Sequence, residues 1–221
     1  MRDEFNGPSQ FELLKKPVHD YQVVMQALTP FAKFIDCTKN KKLMLFRSGK
    51  PVCYLVFEGR GLVCRNKDNL VLATTRSPVI IGLTSILFPL NEEYYWRPDK
   101  ECVAMMIDVD VVRQVISEKN LWQHLSTMLG YIAYRLNDHN VKLTARSGLS
   151  VICKQIYALM DEPIEVRRKV GLTNYILDRT LLSRSYVMKI VSELKAQGKI
   201  VLEDKVLVKV GDLEDSEEKN V

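Results

Sequence analysis

Long apolar runs are missing from this 221-residue chain. No stretch approaches the roughly 20 residues that cross a bilayer, so a membrane-spanning helix has no candidate. The N-terminus, MRDEFNGPSQ, is polar and lacks an apolar core segment, and no signal peptide is expected. Cysteine is sparse: Cys37, Cys53, Cys64, Cys102 and Cys153 are scattered and odd in number. That pattern argues against a secreted disulfide framework and for a reducing cytoplasm. The three histidines, His19, His124 and His139, show no metal-ligand spacing. No Ser-His-Asp arrangement or phosphate-cradling glycine loop stands out, and Glu58-Gly59-Arg60-Gly61 has two glycines in a hairpin context. The expectation is a non-enzymatic chain with no metal and no cofactor.

What is present is a globular composition. Apolar residues make up 47 % of the chain, enough to build a core in one large or two modest domains. The net charge of +5 permits a nucleic-acid partner without demanding one. Its distribution is uneven. Residues 161–211 hold ten Lys/Arg against seven Asp/Glu, whereas residues 212–221, DLEDSEEKNV, hold one Lys against five acids. The latter reads as an acidic, disordered, solvating tail.

The densest signal lies in residues 173–210. Ile176 and Leu177 mark a short first helix; Leu181 and Leu182 interrupt the pattern. Ser183 follows as an N-cap, its hydroxyl placed to accept an orphan amide of the next helix. That helix is expected from Arg184 to Ala196, because Val187, Ile190, Val191 and Leu194 fall at i, i+3, i+4 and i+7. Gly198 stands at its stop. Ile200-Val201-Leu202 and Val206-Leu207-Val208 flank Glu203-Asp204-Lys205, which is a hairpin signal. Two helices, a tight turn and a hairpin make a winged helix-turn-helix. The polar face of the second helix carries Arg184, Ser185, Lys189 and, further round, Lys195. Such side chains pair with phosphates or donate to base edges from a helix in the major groove. The same pattern also fits a solvated amphipathic face.

Residues 183–190, Ser-Arg-Ser-Tyr-Val-Met-Lys-Ile, resemble the start of the recognition helix in the CRP/FNR superfamily of bacterial transcription regulators. That family has Ser-Arg, a Val three residues after the Arg, a basic residue two further on, then an Ile. Leu194, Gly198 and Ile200 fall where it has its helix end and first wing strand. The resemblance implies that Ser183, Arg184, Ser185, Tyr186 and Lys189 face DNA. One position departs: Ser185 stands where the family often has an acidic residue that helps read base pairs, so no target sequence carries over. The chain is also similar in build to an enterobacterial regulator group associated with oxidative-stress resistance.

Upstream, residues 1–18 read as a loose arm. Asp20 is expected to cap a helix through Val23, Val24, Ala27 and Leu28, with Phe31, Phe34 and Ile35 continuing its apolar face. Between Lys42 and Ile107 the period turns to two, with strands over 43–47, 52–57, 62–64, 70–75, 79–81 and 101–107, which suggests a sandwich or roll. The order of Gly49, Gly59 and Gly82 resembles the cyclic-nucleotide-binding-like β-roll of the same superfamily. Asp108 or Asp110 is expected to cap a helix over 111–118, and Asn120 another. In that last helix Leu125, Leu129, Ile132, Leu136 and, beyond His139, Leu143 keep a near-heptad spacing. By the resemblance it is the dimerisation helix; on its spacing alone it also fits a core helix packed on the roll. Ser147-Gly148 interrupts it, and a helix over 149–160 ends at Asp161-Glu162-Pro163.

Nucleotide-binding members of the superfamily hold the ribose with a Glu after the mid-roll glycine and the phosphate with an Arg followed by Ser or Thr. Here Leu83-Thr84-Ser85 follow Gly82, and Glu92 and Glu93 stand near the phosphate position, where carboxylates repel it. Arg97 reads as a surface residue, and cyclic AMP is not expected to bind. No cysteine precedes Cys37, which leaves an N-terminal iron–sulfur cluster without ligands. A thiol switch between Cys53 and Cys64, on neighbouring predicted strands, stands beside their reading as small core residues.

The expected fold is α+β: an N-terminal β-roll over 1–118, a dimerisation helix over 119–146, a winged helix-turn-helix over 147–211 and an acidic tail over 212–221. The expected function is a homodimeric, cytoplasmic transcription regulator bound to double-stranded operator DNA, with RNA polymerase as a further partner and an open effector. The other reading is a non-enzymatic roll module whose degenerate winged helix mediates protein contacts.

Overall fold

The computed structural model describes residues 15–39, 42–88, 93–143 and 147–213, the side chains of 138–143 excepted. It opens with α1 (Val18–Leu28), whose Tyr21, Val24, Met25 and Leu28 form one buried face at helical spacing. The strands β1 (Lys33–Ile35), β2 (Leu43–Met44), β3 (Phe46–Arg47), β4 (Lys50–Glu58), β5 (Arg60–Arg65), β6 (Val71–Arg76), β7 (Val79–Ile81), β8 (Tyr94–Pro98) and β9 (Val103–Asp108) follow. Next come α2 (Val109–Glu118), the long α3 (Trp122–Leu143), α4 (Gly148–Met160), α5 (Ile164–Lys169), α6 (Leu172–Leu177) and α7 (Arg184–Ala196). The hairpin of β10 (Ile200–Glu203) and β11 (Val206–Val210) closes the order.

The N-terminal strands form two antiparallel sheets. One runs β1-β9-β4-β3 with β7 also on β4; the other runs β2-β8-β5-β6. Strand β4 shows why its sequence is a continuous apolar run. Val52, Tyr54 and Val56 point to the cluster shared with Trp96 and Leu43, while Cys53 and Leu55 point to the cluster shared with α1, α2 and α3. Both faces of a strand buried on both sides must be apolar. Between the sheets Trp96 and Tyr54 lie with ring centroids 5.9 Å apart, and Trp96 Nε1 donates to Thr75 Oγ1 at 3.2 Å. Gly61 makes room for that indole: a Cβ there would sit 2.2 Å from Nε1.

Several local expectations are corrected by this packing. Residues 33–35 are not a helix continuation; after the 3-10 turn Thr29–Phe31 they pair with β9 as Lys33↔Met106, Phe34↔Met105 and Ile35↔Ala104. Strand β8 has no counterpart among the expected strands: it pairs with β2 and β5. Asp20 does not cap α1, whose N-cap is Pro17; its carboxylate meets His124 Nδ1 on α3 at 2.7 Å. Asp108 occupies the N-cap position of α2 without a side-chain hydrogen bond, and Asp110 pairs with Arg113 at 3.2 Å. Asn120 ends α2 in the left-handed region (φ 52°), with Asn120 N–H on Ser117 and Leu121 N–H on Ile116. This is a Schellman termination, the role that Gly198 plays after α7.

The C-terminal elements share one core. Ile152, Ile156 and Leu159 of α4, Leu172 and Ile176 of α6, Val187 and Leu194 of α7, and Ile200 and Leu207 of the hairpin are all buried in it. Leu213 belongs to this core as well, its amide donating to Tyr157 Oη at 3.0 Å. The ordered packing therefore passes the expected start of the acidic tail at 212, and residues 214–221 lie outside the described residues.

Candidate nucleic-acid interface

The second helix of the helix-turn-helix begins where a serine can begin it. Ser183 is extended (φ −70°, ψ 147°), and its hydroxyl accepts from Tyr186 N–H at 3.3 Å. Val187, Ile190, Val191 and Leu194 turn inward, which leaves the first turn and the opposite face of α7 outward. Arg184, Ser185 and Lys189 are exposed. Arg184 Nη2 reaches Asn174 Oδ1 on α6 at 3.5 Å, and Ser185 Oγ lies 3.2 Å from Ser183 Oγ. Lys189, 70 % exposed at its side chain, lies 3.9 Å from Glu193, a loose surface pair. Tyr186 differs from its neighbours: it is half-buried, and a Cβ added at Gly148 would sit 2.8 Å from its ring. Its ring packs on the start of α4.

The hairpin beyond α7 turns through Asp204 and Lys205, both at positive φ (47° and 68°), between the paired Glu203 and Val206. That is the two-residue turn whose twist matches antiparallel strands, and it puts Lys205 at the wing tip. Sequence reasoning did not single out Asn174 or Lys205. A polar residue on the first helix and a basic one at the hairpin tip were the available signals.

The long helix α3 is unevenly covered. Leu125 and Met128 are buried in the chain's own core, Leu129 and Ile132 pack partly against it, and Leu136 is 49 % exposed. Leu125, one of four expected interface residues, is thus withdrawn from an interface by packing within its own chain. The side chains of His139 and Leu143 lie outside the described residues.

The cysteines of the roll, Cys37, Cys53, Cys64 and Cys102, are all free and buried. Cys53 and Cys64 sit on consecutive strands, but those strands belong to different sheets and the thiols to different clusters. Burial pushes the Cys53 thiol up to about 12 and raises Cys64 as well. Cys37 and Cys102 share the inter-sheet cluster; burial first, then Cys102, pushes Cys37 up to about 11. Thiols so raised carry little thiolate near neutral pH. Among the described residues no group of three or more His, Cys, Asp or Glu is placed to hold a metal ion. None of their helices is long and apolar enough to cross a membrane. The Glu92 expected near the phosphate position lies outside the described residues, while the Glu93 carbonyl accepts from Asn66 N–H at 2.6 Å.

Residues 148–215 match a family model described as winged helix-turn-helix DNA binding. Over 200 residues the chain is 23 % identical to the inhibitor of hydrogen peroxide resistance of Escherichia coli K12, covering 90 % of this chain and 96 % of that protein. The Salmonella typhimurium protein of the same name is 18 % identical over 201 residues, 90 % of this chain and 97 % of its own length. Among solved structures, the c-di-GMP-responsive global regulator CLP of Xanthomonas campestris superposes with a TM-score of 0.67 at 16 % identity, covering 86 % of this chain and all of that one. A CRP-family transcriptional regulator of Thermus thermophilus superposes at 0.59 and 17 % identity, covering 86 % of this chain and 94 % of that one.

Proposed function

We propose that this chain, which has the CRP/FNR transcriptional-regulator fold with a winged helix-turn-helix of the DNA-binding kind, is a non-enzymatic, homodimeric regulator that reads the major groove with α7. The observation that carries the reading is the first turn of α7. A serine cap starts the helix, an apolar stripe anchors it, and Arg184, Ser185 and Lys189 are left exposed together. Arg184 at the helix start suits a bidentate contact to a guanine. Lys189, five residues on and about 140° further round the axis, suits a separate base or phosphate. Tyr186 supports the helix from beneath, and Lys205 extends the contact from the wing.

In this reading the chain divides as a roll over 1–118, a dimerisation helix over 119–146 and a winged helix from 147 through Leu213. Leu129, Ile132 and Leu136 face the second copy. The effector is not cyclic AMP. Leu83, Ser85 and Ile86 after Gly82 are buried rather than presented to a ribose, and Trp96 and Tyr54 fill the space between the sheets. Calorimetry should register no cyclic AMP binding at physiological concentration; micromolar affinity refutes this part. The relatives' names suggest a role in peroxide tolerance, for which deletion should raise survival under hydrogen peroxide. RNA polymerase as a partner rests on the family resemblance, and co-purification of promoter-bound complexes tests it.

Genome-wide mapping of bound sites, followed by a salt titration on a mapped operator, tests the central claim. Binding through several phosphates should weaken steeply as salt rises. Affinity that ignores salt, or equals that for scrambled DNA, points instead to a protein-binding module.

A further inference from the structure

We propose that strand β6 of the roll is the rail on which the reading helix is positioned, with Glu162 and Arg179 as the positioning residues that clasp it. The inference rests on the DNA-reading role of α7 and adds what holds that helix in place. Three contacts spaced along β6 carry it. At its start, Val71 N–H donates to the Asp178 carbonyl at 2.7 Å. At its middle, Thr74 Oγ1 accepts from Arg179 Nη2 at 3.3 Å. At its end, Arg76 Nη2 donates to Glu162 Oε2 at 2.5 Å, and Arg60 Nη2 donates to the same oxygen at 2.9 Å.

Each side of the clasp is built for the other. Strand β6 is an edge of its sheet, so a backbone amide at its open side needs a partner from elsewhere. Arg60 and Arg76 lie directly opposite each other in the β5–β6 register. Like charges at a cross-strand pair repel, and a carboxylate between them removes the conflict. Glu162 supplies it from the other end of the chain, with its side chain only 10 % exposed. Its backbone is held firmly: Arg167 Nε donates to the Glu162 carbonyl at 3.1 Å, and Arg167 Nη1 to the Leu207 carbonyl of the wing at 2.6 Å. Arg179 is 9 % exposed and stacks on the Tyr175 ring, 3.6 Å from its centroid.

Asp178 and Arg179 lie in the turn between α6 and α7, shortly before Ser183 and Arg184. Holding that turn to β6 sets where the N-terminus of α7 sits relative to the roll and α3. In a two-fold dimer the two reading helices must meet half-sites about 34–36 Å apart. Freed winged helices would keep their phosphate contacts but lose the preset spacing. The clasp therefore controls specific binding more than non-specific binding.

The test uses full-length protein and Glu162→Gln, which keeps the shape and removes the charge. Exchange of the Val71 amide proton reports the clasp without DNA. It should speed up about tenfold or more, while the amides of Ile152 and Ile190 inside the winged helix keep their protection. Affinity for the mapped operator should fall about tenfold, with affinity for scrambled DNA unchanged. Joint replacement of Arg60 and Arg76 by Gln should do the same, and adding Glu162→Gln to that pair should have no further effect. An unchanged Val71 exchange rate overturns the clasp. Faster exchange with unaltered operator binding overturns its positioning role. If wild type itself does not distinguish operator from scrambled DNA, the regulator reading fails, and Val71 exchange still decides whether the clasp exists.

Discussion

Helices α3 and α7 both carry an apolar stripe, and the chain uses the two stripes differently. On α7 the stripe Val187, Ile190, Val191 and Leu194 is buried inside the chain, and the outward face carries Arg184, Ser185 and Lys189 toward its start, with Met188 and Glu193 exposed beside them. On α3 the stripe starts in the core at Leu125 and runs out of cover at Leu136. A polar, basic outward face at a helix start suits a polyanion, whereas an apolar outward stripe suits another apolar stripe. The difference in cover, not the spacing, sets DNA against α7 and a second copy against α3 in the proposed reading.

Leu136→Glu breaks the comparison most severely. Each copy would bring a charge into the seam, and the dimer should dissociate to monomers. Ile132 packs partly against its own core while Leu136 is 49 % exposed, so Leu136 gives the cleaner result. Sedimentation velocity checks it, and a Leu136→Glu protein that remains dimeric removes α3 as the interface. Leu194→Ala strikes the stripe that α7 spends internally. It should cost about 2–5 kcal/mol of folding stability in denaturant titrations, without changing the association state of the protein that remains folded.

Arg184→Ala tests the outward face. It should cost about 1–3 kcal/mol in operator affinity and relax preference at one base position. Lys189→Ala, if its contact is to phosphate, should weaken all sequences alike and lower the salt slope by about one unit. Arg184→Ala binding operator and scrambled DNA as wild type does would mean α7 is not the reader. Ser183→Ala removes the cap and should lower stability by about 1 kcal/mol; thermal melts should detect it with the DNA preference intact.

The remaining effect depends on pH and concerns Lys16, whose amine lies 5.3 Å from the centroid of the Tyr21 ring on α1. Burial first, then Arg135 of α3 and Arg76, brings its amine down to about 8. In the unfolded chain that amine keeps its proton to about pH 10.4. Between those values the unfolded state binds more protons, so the charged-amine penalty present below pH 8 is relieved as pH rises. Lys16→Met should stabilise most below pH 8 and lose that advantage toward pH 10. Urea midpoints at the two pH values measure it, and an advantage that stays constant contradicts it.

Much of the winged helix was legible in the sequence because its signals are local. Ser183 caps the helix that begins one residue later, four apolar residues recur within eight positions, and Gly198 terminates it within the same segment. Near the roll, local signals misled where a distant partner won. Asp20 had the chemistry of a cap but found His124; Phe34 and Ile35 extended a helical pattern but found β9; Asn120 ended one helix instead of starting the next.

By itself the sequence determined the class of fold, the boundaries of α7 and the chemistry of its outward face, since helical period, capping and charge depend on residues within a turn or two of each other. Only the tertiary structure decided that Leu125 serves the chain's own core and that Trp96 fills the roll. It also decided that Glu162 answers an arginine pair about 100 residues away. These depend on strand register and on one domain docking on another, and register is settled by the summed burial of many distant residues rather than by any short stretch.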